Sequence, residues 1–350
     1  MNPTTPIMFA TVTHTTTPES EPSQFILPDL INDCHYPFQQ NPHCDAACRA
    51  SVRWLMDVAQ IVGPEIREYI DVDANGLAVA CYPDADAFHL QVCSDFLNWL
   101  FITDDLMESG VVDVQEVHES CVSAFRDPIN FDTERLDAKM CKSYFSRFKE
   151  TAGPGCTERF IYTSELYFAA VAKQVDDRAK GHVYDLESCI ALRRDTGGLK
   201  PCFNLIEFVA RIDLPDEVVS HPVVKALEEA TNDHVCWHND MLSYNKEQSC
   251  GHAPWENIVP AIMHERGLDL QGAMDYAGQM CKDAIQRFDS NRAILPSWGE
   301  EVDRQVAVYI KGLQHWMIGS LRWHFDCARY AVPPDRIIKL LPKRPYKCGA

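Results

Sequence analysis

Apolar residues recur every three or four positions along most of the chain after Pro28, which is the spacing of amphipathic helices. A run from Phe88 to Leu100 follows this rule. Another run predicts one long helix near the C-terminus, through Val302, Val306, Tyr309, Leu313, Trp316 and Ser320. The alternation of apolar and polar residues that predicts a strand is nowhere sustained. The pattern therefore indicates an all-helical protein.

Glycine and proline residues separate the helical runs. The predicted breaks are at Tyr82-Pro83, Gly153-Pro154-Gly155, Thr196-Gly197-Gly198, Pro201, His221-Pro222 and Val332-Pro333-Pro334. No internal repeat or linker interrupts residues 28–340, so we predict one all-α domain, a bundle of about ten or more helices. The Thr/Pro/Ser-rich residues 1–27 predict a disordered tail, and residues 341–350 a short C-terminal tail.

The composition excludes two classes of partner. The 350 residues include 51 acidic and 32 basic side chains, a formal net charge of −19. Proteins that bind nucleic acid or anionic membrane surfaces need clustered Lys and Arg, so we expect neither partner. The longest apolar run, Phe96 to Ile102 interrupted by Asn98, is far shorter than the roughly 20 residues of a membrane helix. Residues 1–23 lack the features of a signal peptide. No membrane insertion is expected.

The fifteen cysteines are scattered, with no C-x-x-C pair. Cys44 and Cys48 are four residues apart, but no Cys or His follows them at the spacing of a zinc site. We therefore expect free thiols in a reducing cytoplasm.

An acidic cluster directly follows an apolar helical run. Asp104 and Glu108 are four residues apart, so they share a helix face with Leu97 and Phe101, and Asp105 lies beside them. Carboxylates at the end of an apolar wall are suited to a hard cation such as Mg²⁺, which takes one or two carboxylates together with substrate phosphates. An ordinary solvated helix end would have the same composition.

A second polar face is more specific. Asn239, Ser243 and Glu247 follow one another in four-residue steps, so an amide, a hydroxyl and a carboxylate lie on one helix face. Three such oxygen donors can chelate one hard cation, and Lys246 beside them would offer a point charge to a phosphate. Asp240 points about 100° away, so we expect it to orient its neighbours rather than bind metal. The alternative is a polar surface stripe.

These residues resemble a known family. The segment N-D-x-x-S-x-x-K-E at residues 239–247 matches the metal-binding motif of class I terpene cyclases, and the D-D-x-x-E at residues 104–108 is similar to their aspartate-rich motif. The likeness covers residues 28–335 and is nearest to fungal sesquiterpene synthases. It implies a helical bundle around a central apolar active-site cavity. Glu108 departs from an all-aspartate motif, which leaves open whether Glu108 or Asp105 binds metal.

The resemblance also implies a diphosphate sensor at Arg193, which lies 46 residues before Asn239. Thr196 would then be the linker and Gly197 the effector whose carbonyl points at the ionising carbon. Independently, paired guanidiniums can hold phosphate oxygens, and a Thr-Gly-Gly sequence ends a helix. Arg194 would be the sensor if the register differed by one residue, and an ordinary glycine-capped helix end is the plain alternative.

The same resemblance identifies Arg329 and Tyr330 as the C-terminal pair that closes over the diphosphate. It implies pocket aromatic residues at Phe101 and Trp323, and Trp316 shares the face of Trp323 one heptad earlier. Leu97 and Phe96 are weaker pocket candidates. For any one of these rings, packing in the core is the ordinary alternative.

The implied reaction is Mg²⁺-dependent ionisation of farnesyl diphosphate, with three ions, loss of diphosphate and cyclisation of the carbocation to a sesquiterpene hydrocarbon in secondary metabolism. Such an enzyme is a lyase that works as a monomer or homodimer. Geranyl or geranylgeranyl diphosphate is an alternative substrate. A chain-elongating prenyl transferase has a second aspartate-rich motif in place of the Asn-Ser-Glu motif, and a non-catalytic helical scaffold would need neither motif.

Overall fold

The computed structural model describes residues 24–61, 65–108, 110–250, 256–330 and 332–342. The side chains of Glu65, Ile66, Glu68, Tyr69, Glu108 and Cys250 are outside that description. The elements are β1 (Gln24–Ile26), α1 (Leu30–Asp33), α2 (Cys44–Asp57), α3 (Glu65–Val72), α4 (Ala74–Cys81), α5 (Ala87–Glu108), α6 (Val114–Arg126), α7 (Leu136–Thr151), α8 (Pro154–Ala179), α9 (Leu186–Thr196), α10 (Leu199–Ala210), α11 (Asp216–Val219), α12 (Pro222–Cys250), α13 (Ile258–Arg266), α14 (Leu270–Arg292), α15 (Glu300–Asp326) and β2 (Ile337–Lys339).

The helix boundaries follow local sequence signals. Pro154 opens α8 at its first position, where a missing N–H does no harm. The carboxylates of Asp113, Asp185 and Asp269 accept backbone N–H groups at the starts of α6, α9 and α14. Pro201 is not a break, because it lies in the first turn of α10, where proline is tolerated.

The helices pack around one interior. Helix α12 lies against α14 and α15, while α15 and α5 both pack on α4. The predicted helical runs near residues 88–100 and 302–320 are α5 and α15, and the prediction of an all-α protein is confirmed. None of the described helices is long and apolar enough to cross a membrane.

Strand β1 lies within residues 1–27, which were predicted to be a disordered tail, whereas β2 lies within the predicted domain. Strand β1 pairs antiparallel with β2, with Phe25 opposite Ile338, inside the segment predicted to be a tail. Phe25 is buried and its ring lies 6.0 Å from that of Tyr244 on α12. Asn245 fixes the C-terminal side, because its side chain bonds the backbone of both Lys339 and Leu341. Three-residue strands carry no detectable periodicity, and their partner is at the other end of the chain. Residues 1–23 and 343–350 lie outside the described residues.

Candidate functional site

An apolar cavity of about 720 Å³ lies between α4, α5, α8, α9, α10, α12 and α15. Its apolar wall includes Leu77, Leu97, Leu100, Leu199, Val235 and Trp316.

A second cavity, here called the polar mouth, adjoins the apolar cavity and has a volume of about 1,030 Å³. Five residues line both cavities: Phe101, Asp104, Arg193, Thr196 and Asn239. A ligand with a charged head and an apolar body could therefore lie across both.

The acidic cluster of α5 lies at this junction. Asp104 lines both cavities and accepts a hydrogen bond from the Tyr167 hydroxyl on α8, at 2.8 Å. Burial raises the pKa of Asp104, and the Tyr167 hydrogen bond opposes that rise. Asp105 lines only the polar mouth, 3.8 Å from the guanidinium of Arg329. The Glu108 side chain lies outside the described residues, so its role stays a prediction.

The acidic residues of α5 (the first ladder) and the residues Asn239, Ser243 and Glu247 of α12 (the second, or α12, ladder) line the same polar mouth. Asn239, Ser243 and Glu247 line it from successive turns of α12, and Lys246 lies beside them. Ser243 is buried, Asn239 and Glu247 are half-buried, and Lys246 is exposed. The predicted oxygen donors whose side chains are described therefore line one cavity, the polar mouth, although they come from two helices, α5 and α12.

The start of α13 supports this ladder. Asn257 caps α13 by accepting the N–H of Val259, and its amide donates to Glu247 Oε2 at 2.8 Å and to the carbonyl oxygen of Asp240 at 2.7 Å. The N–H of Ile258 donates to the carboxylate of Asp240 at 2.8 Å. Glu247 and Asp240 are thus held by a segment that follows them in sequence.

Arg193 lies in the last turn of α9 and reaches the ladder. Its Nη2 donates to Asn239 Oδ1 at 2.8 Å and its Nε donates to Asp240 Oδ1 at 2.9 Å. Burial alone would lower the pKa of Arg193, but the Asp240 carboxylate raises it above its usual range. Burial raises the pKa of Asp240 to about 6 despite the attraction of Arg193. The guanidinium therefore stays charged beside the polar mouth.

Two glycines let α9 end close to α12. A Cβ atom on Gly197 would lie 2.7 Å from Cys236 Sγ, so no larger residue fits there without movement. Gly198 has a φ of +65°, a left-handed conformation that glycine adopts without strain and that starts α10 in a new direction. Thr196 and Gly197 both line the apolar cavity.

Arg194 points elsewhere. It donates to Asp233 through Nε at 2.7 Å and also pairs with Glu229. Arg194 lines neither the apolar cavity nor the polar mouth. Of the two arginines, the geometry favours Arg193 as an anion sensor, because adjacent side chains on a helix point about 100° apart.

The C-terminal Arg-Tyr pair closes one side of the polar mouth. The Arg329 guanidinium carbon lies 5.7 Å from the centre of the Phe101 ring. The Tyr330 hydroxyl lies 3.4 Å from Asn239 Nδ2, and burial raises the pKa of Tyr330 to about 12. Tyr330 is therefore a neutral hydrogen-bonding group at neutral pH.

Aromatic rings line the apolar cavity below this pair. The rings of Phe101 and Trp323 lie 6.0 Å apart, and the Trp323 indole donates to the carbonyl of Asp73 at 2.8 Å. Trp316 and Leu97 also line the cavity. Phe96 does not, because it faces the core, with its ring 5.4 Å from that of Tyr144.

The charged side chains of the polar mouth balance one another. Among the described residues its cations and acids are four each, namely Arg178, Arg193, Lys246 and Arg329 against Asp104, Asp105, Glu247 and Glu256. An anionic ligand would therefore need additional cations. The carboxylate, amide and hydroxyl oxygens are ligands suited to Mg²⁺. Among the described residues, no three His, Cys, Asp or Glu side chains form a cluster that could hold a metal ion without other ligands.

Three residues that contact the proposed metal ligands were not predicted from the sequence. They are Tyr167 beside Asp104, Asn257 beside Glu247, and His324, whose Nε2 lies 2.9 Å from Asn239 Nδ2. His324 directly follows Trp323, but no local spacing connects a histidine on α15 with an asparagine on α12. Burial lowers the pKa of His324 to about 3.

The chain is similar to known proteins over most of its length. Residues 95–287 match the family described as "Terpene synthase family 2, C-terminal metal binding". The chain is 40% identical over 328 residues to Sesquiterpene synthase Agr1 of Cyclocybe aegerita, which covers 92% of this chain and 94% of that protein. It is 41% identical over 334 residues to Sesquiterpene synthase 1 of Postia placenta, with 93% and 97% covered. Linalool/Nerolidol synthase from Streptomyces clavuligerus has the same fold, with a TM-score of 0.75 at 21% identity over 86% of this chain and 99% of that one.

Proposed function

Because the chain belongs to the fungal sesquiterpene synthase family, we propose that it ionises farnesyl diphosphate, releasing diphosphate, and cyclises the carbocation, which loses a proton to give a sesquiterpene hydrocarbon. The observation that carries this proposal is the junction of an apolar cavity with a polar mouth at Asp104, Arg193 and Asn239. The diphosphate would lie in the mouth and the isoprenoid chain in the cavity.

The two oxygen ladders are the proposed metal ligands. Asp104 and Asp105 on one wall, and Asn239, Ser243 and Glu247 on the other, would hold Mg²⁺ ions, three by analogy with the family. When bound, Mg²⁺ supplies positive charge that stabilises the diphosphate leaving group. The charge balance of the mouth supports this need, since its own cations are neutralised by its acids.

The cationic residues of this chain then act on the diphosphate. Arg193 would donate through a planar fork and Lys246 as a point charge, while Arg329 and Tyr330 would donate from the opposite side. Donors that are already positioned stabilise charge as it develops on the leaving oxygen. We propose that Thr196 and Gly197, at the end of α9, bring backbone carbonyl groups towards the reacting carbon.

The apolar cavity protects the carbocation. Its walls exclude water, which would otherwise capture the cation. The faces of Phe101 and Trp323 can stabilise positive charge by about 0.5–2 kcal/mol each. Both rings line the cavity directly next to the acidic cluster, where the cation would first form.

We propose that the enzyme works in the cytoplasm and that the substrate is the one partner its site requires. None of the thirteen cysteines whose side chains the structure describes forms a disulfide, which suits a reducing compartment. All the described site residues come from one chain, so a monomer or a homodimer would carry complete sites.

Incubation of the purified protein with farnesyl diphosphate and Mg²⁺ tests the function. We expect a cyclic hydrocarbon by gas chromatography with mass spectrometry, and no product after EDTA treatment. A longer prenyl diphosphate would instead identify a chain-elongating transferase, and turnover of geranyl or geranylgeranyl diphosphate alone would correct the chain length. No product from any of the three would contradict an enzymatic function.

Replacing a cavity aromatic should change the product. We expect Phe101→Leu or Trp323→Leu to lower turnover by roughly 10-fold and to add early-quenched products, because a cation–π contact of about 0.5–2 kcal/mol is lost. Product profiles with farnesyl diphosphate measure this. The matched control is Phe96→Leu on the same helix, whose ring faces the core, so that variant should lose stability and keep its product pattern. Unchanged products in both cavity variants would argue against a pocket role.

A further inference from the structure

We propose that His324 is a positioning residue that selects which end of the Asn239 amide faces the metal. The proposal rests on the proposed role of Asn239 as a metal ligand. An amide has two chemically different ends, and only its oxygen can bind a cation. Something in the structure must therefore decide which end faces the polar mouth.

The hydrogen-bond pattern identifies the tautomer of His324. Its Nδ1 lies 2.6 Å from the carbonyl oxygen of Ser320, one turn earlier on α15. A carbonyl oxygen only accepts, so Nδ1 carries the hydrogen. Asn239 Oδ1 faces the Arg193 guanidinium, so the group that lies 2.9 Å from Nε2 is the amide nitrogen, which only donates. Nε2 is therefore an acceptor and the ring is neutral.

That acceptor determines the amide orientation. Asn239 Nδ2 donates to His324 Nε2 at 2.9 Å, and the amide oxygen turns the other way, towards Arg193. Rotating the amide by half a turn would set oxygen against the Nε2 lone pair. It would also set the amide hydrogens against the guanidinium, so both contacts would become repulsive.

The contact with His324, at 2.9 Å, is shorter than the 3.4 Å contact of the same amide nitrogen with the Tyr330 hydroxyl, and it involves no group proposed to bind the diphosphate. Arg193 is proposed to donate to the diphosphate, which takes it away from Asn239 Oδ1. The bond from His324 lies on the far side of the amide, away from the polar mouth, because His324 lines the apolar cavity and not the mouth. It can hold the nitrogen end while the oxygen end binds Mg²⁺.

Metal-dependent binding of inorganic diphosphate tests this without turnover. The readout is the Mg²⁺ concentration that gives half of the diphosphate-dependent rise in Tm, with Tm in the absence of ligands as the measure of folding. His324→Phe and His324→Leu differ in bulk but both lack an acceptor, and both should raise that concentration by roughly 10-fold. His324→Gln, whose amide oxygen can accept near the position of Nε2, should restore most of the affinity.

The decisive comparison uses Asn239→Asp as a second background. A carboxylate has two equivalent oxygens, so no orientation needs to be selected, and His324→Phe should then change the Mg²⁺ requirement less than about two-fold. An equal loss in both backgrounds, or no loss in the Asn239 background, would overturn the proposal. If the unaltered protein itself shows no Mg²⁺-dependent binding of diphosphate, the proposed function fails, and this inference fails with it.

Discussion

Substituting Glu247 with alanine or glutamine is expected to abolish hydrocarbon formation in a protein that remains folded. Glu247 lines the polar mouth and is the carboxylate among the proposed metal ligands of α12. Its removal withdraws several kcal/mol of leaving-group stabilisation, so kcat/KM should fall by roughly 10³-fold or more. Turnover of farnesyl diphosphate at saturating Mg²⁺ measures this loss. Asn239→Ala should behave in the same way, because it removes the amide ligand of the same ladder.

Of the two substitutions, Glu247→Gln is the more informative test, because it disturbs the structure less than Glu247→Ala. Glu247 accepts from the Asn257 amide, and a glutamine oxygen can keep that hydrogen bond. Tm should therefore change by less than about 2 °C. Glu229→Gln is the matched control, since Glu229 lies on the same helix but pairs with Arg194 outside the site. Wild-type turnover in Glu247→Gln would show that this carboxylate binds no catalytic metal.

Arg193→Met is expected to damage both activity and stability, for separate reasons. Losing a positioned donor to the diphosphate should lower kcat by about 10²–10³-fold. Losing the partner of Asp240, which is only 1% exposed, should lower the free energy of unfolding by about 3 kcal/mol. Steady-state kinetics and urea denaturation measure the two effects independently.

A second substitution separates the two roles of Arg193. In the double variant Arg193→Met with Asp240→Asn the buried charge is absent, and the oxygen of the introduced amide can still accept the Ile258 N–H. Stability should return to within about 1 kcal/mol of the original, while turnover should stay low. Recovery of activity together with stability would mean that Arg193 acts only by keeping Asp240 in place.

The acidic and basic side chains of the polar mouth explain how a chain of net charge −19 could bind an anion. Several of its acids are proposed metal ligands, and bound metal ions reverse the local sign of charge. In the proposed function, the cations Arg193, Lys246 and Arg329 would then contact the diphosphate from different elements of the fold. The negative net charge therefore does not by itself argue against an anionic substrate.

Some residues of the site could be predicted from the sequence and others could not. The ladder from Asn239 to Glu247 and the acids at Asp104 were predictable, because helical periodicity alone aligns residues four apart. The choice between Arg193 and Arg194 was not, because it depends on the angle at which α9 meets α12. The same applies to Phe96 and Leu97, adjacent residues of which one faces the core and the other the cavity.

Periodicity and breaker residues by themselves determined the helical class of this protein, the major helices and the motifs on them, since these depend on contacts within a few residues. Tertiary structure alone decided the strand pair at Gln24–Ile26 and the supporting bonds from Asn257 and His324. Asn257 bonds Glu247, ten residues away, His324 contacts Asn239, 85 residues away, and β1 pairs with β2 at the other end of the chain. No local sequence pattern predicts contacts between such separate elements. The proposed ligands of the site are therefore predictable from the sequence, while the orientation of each side chain depends on how the helices pack.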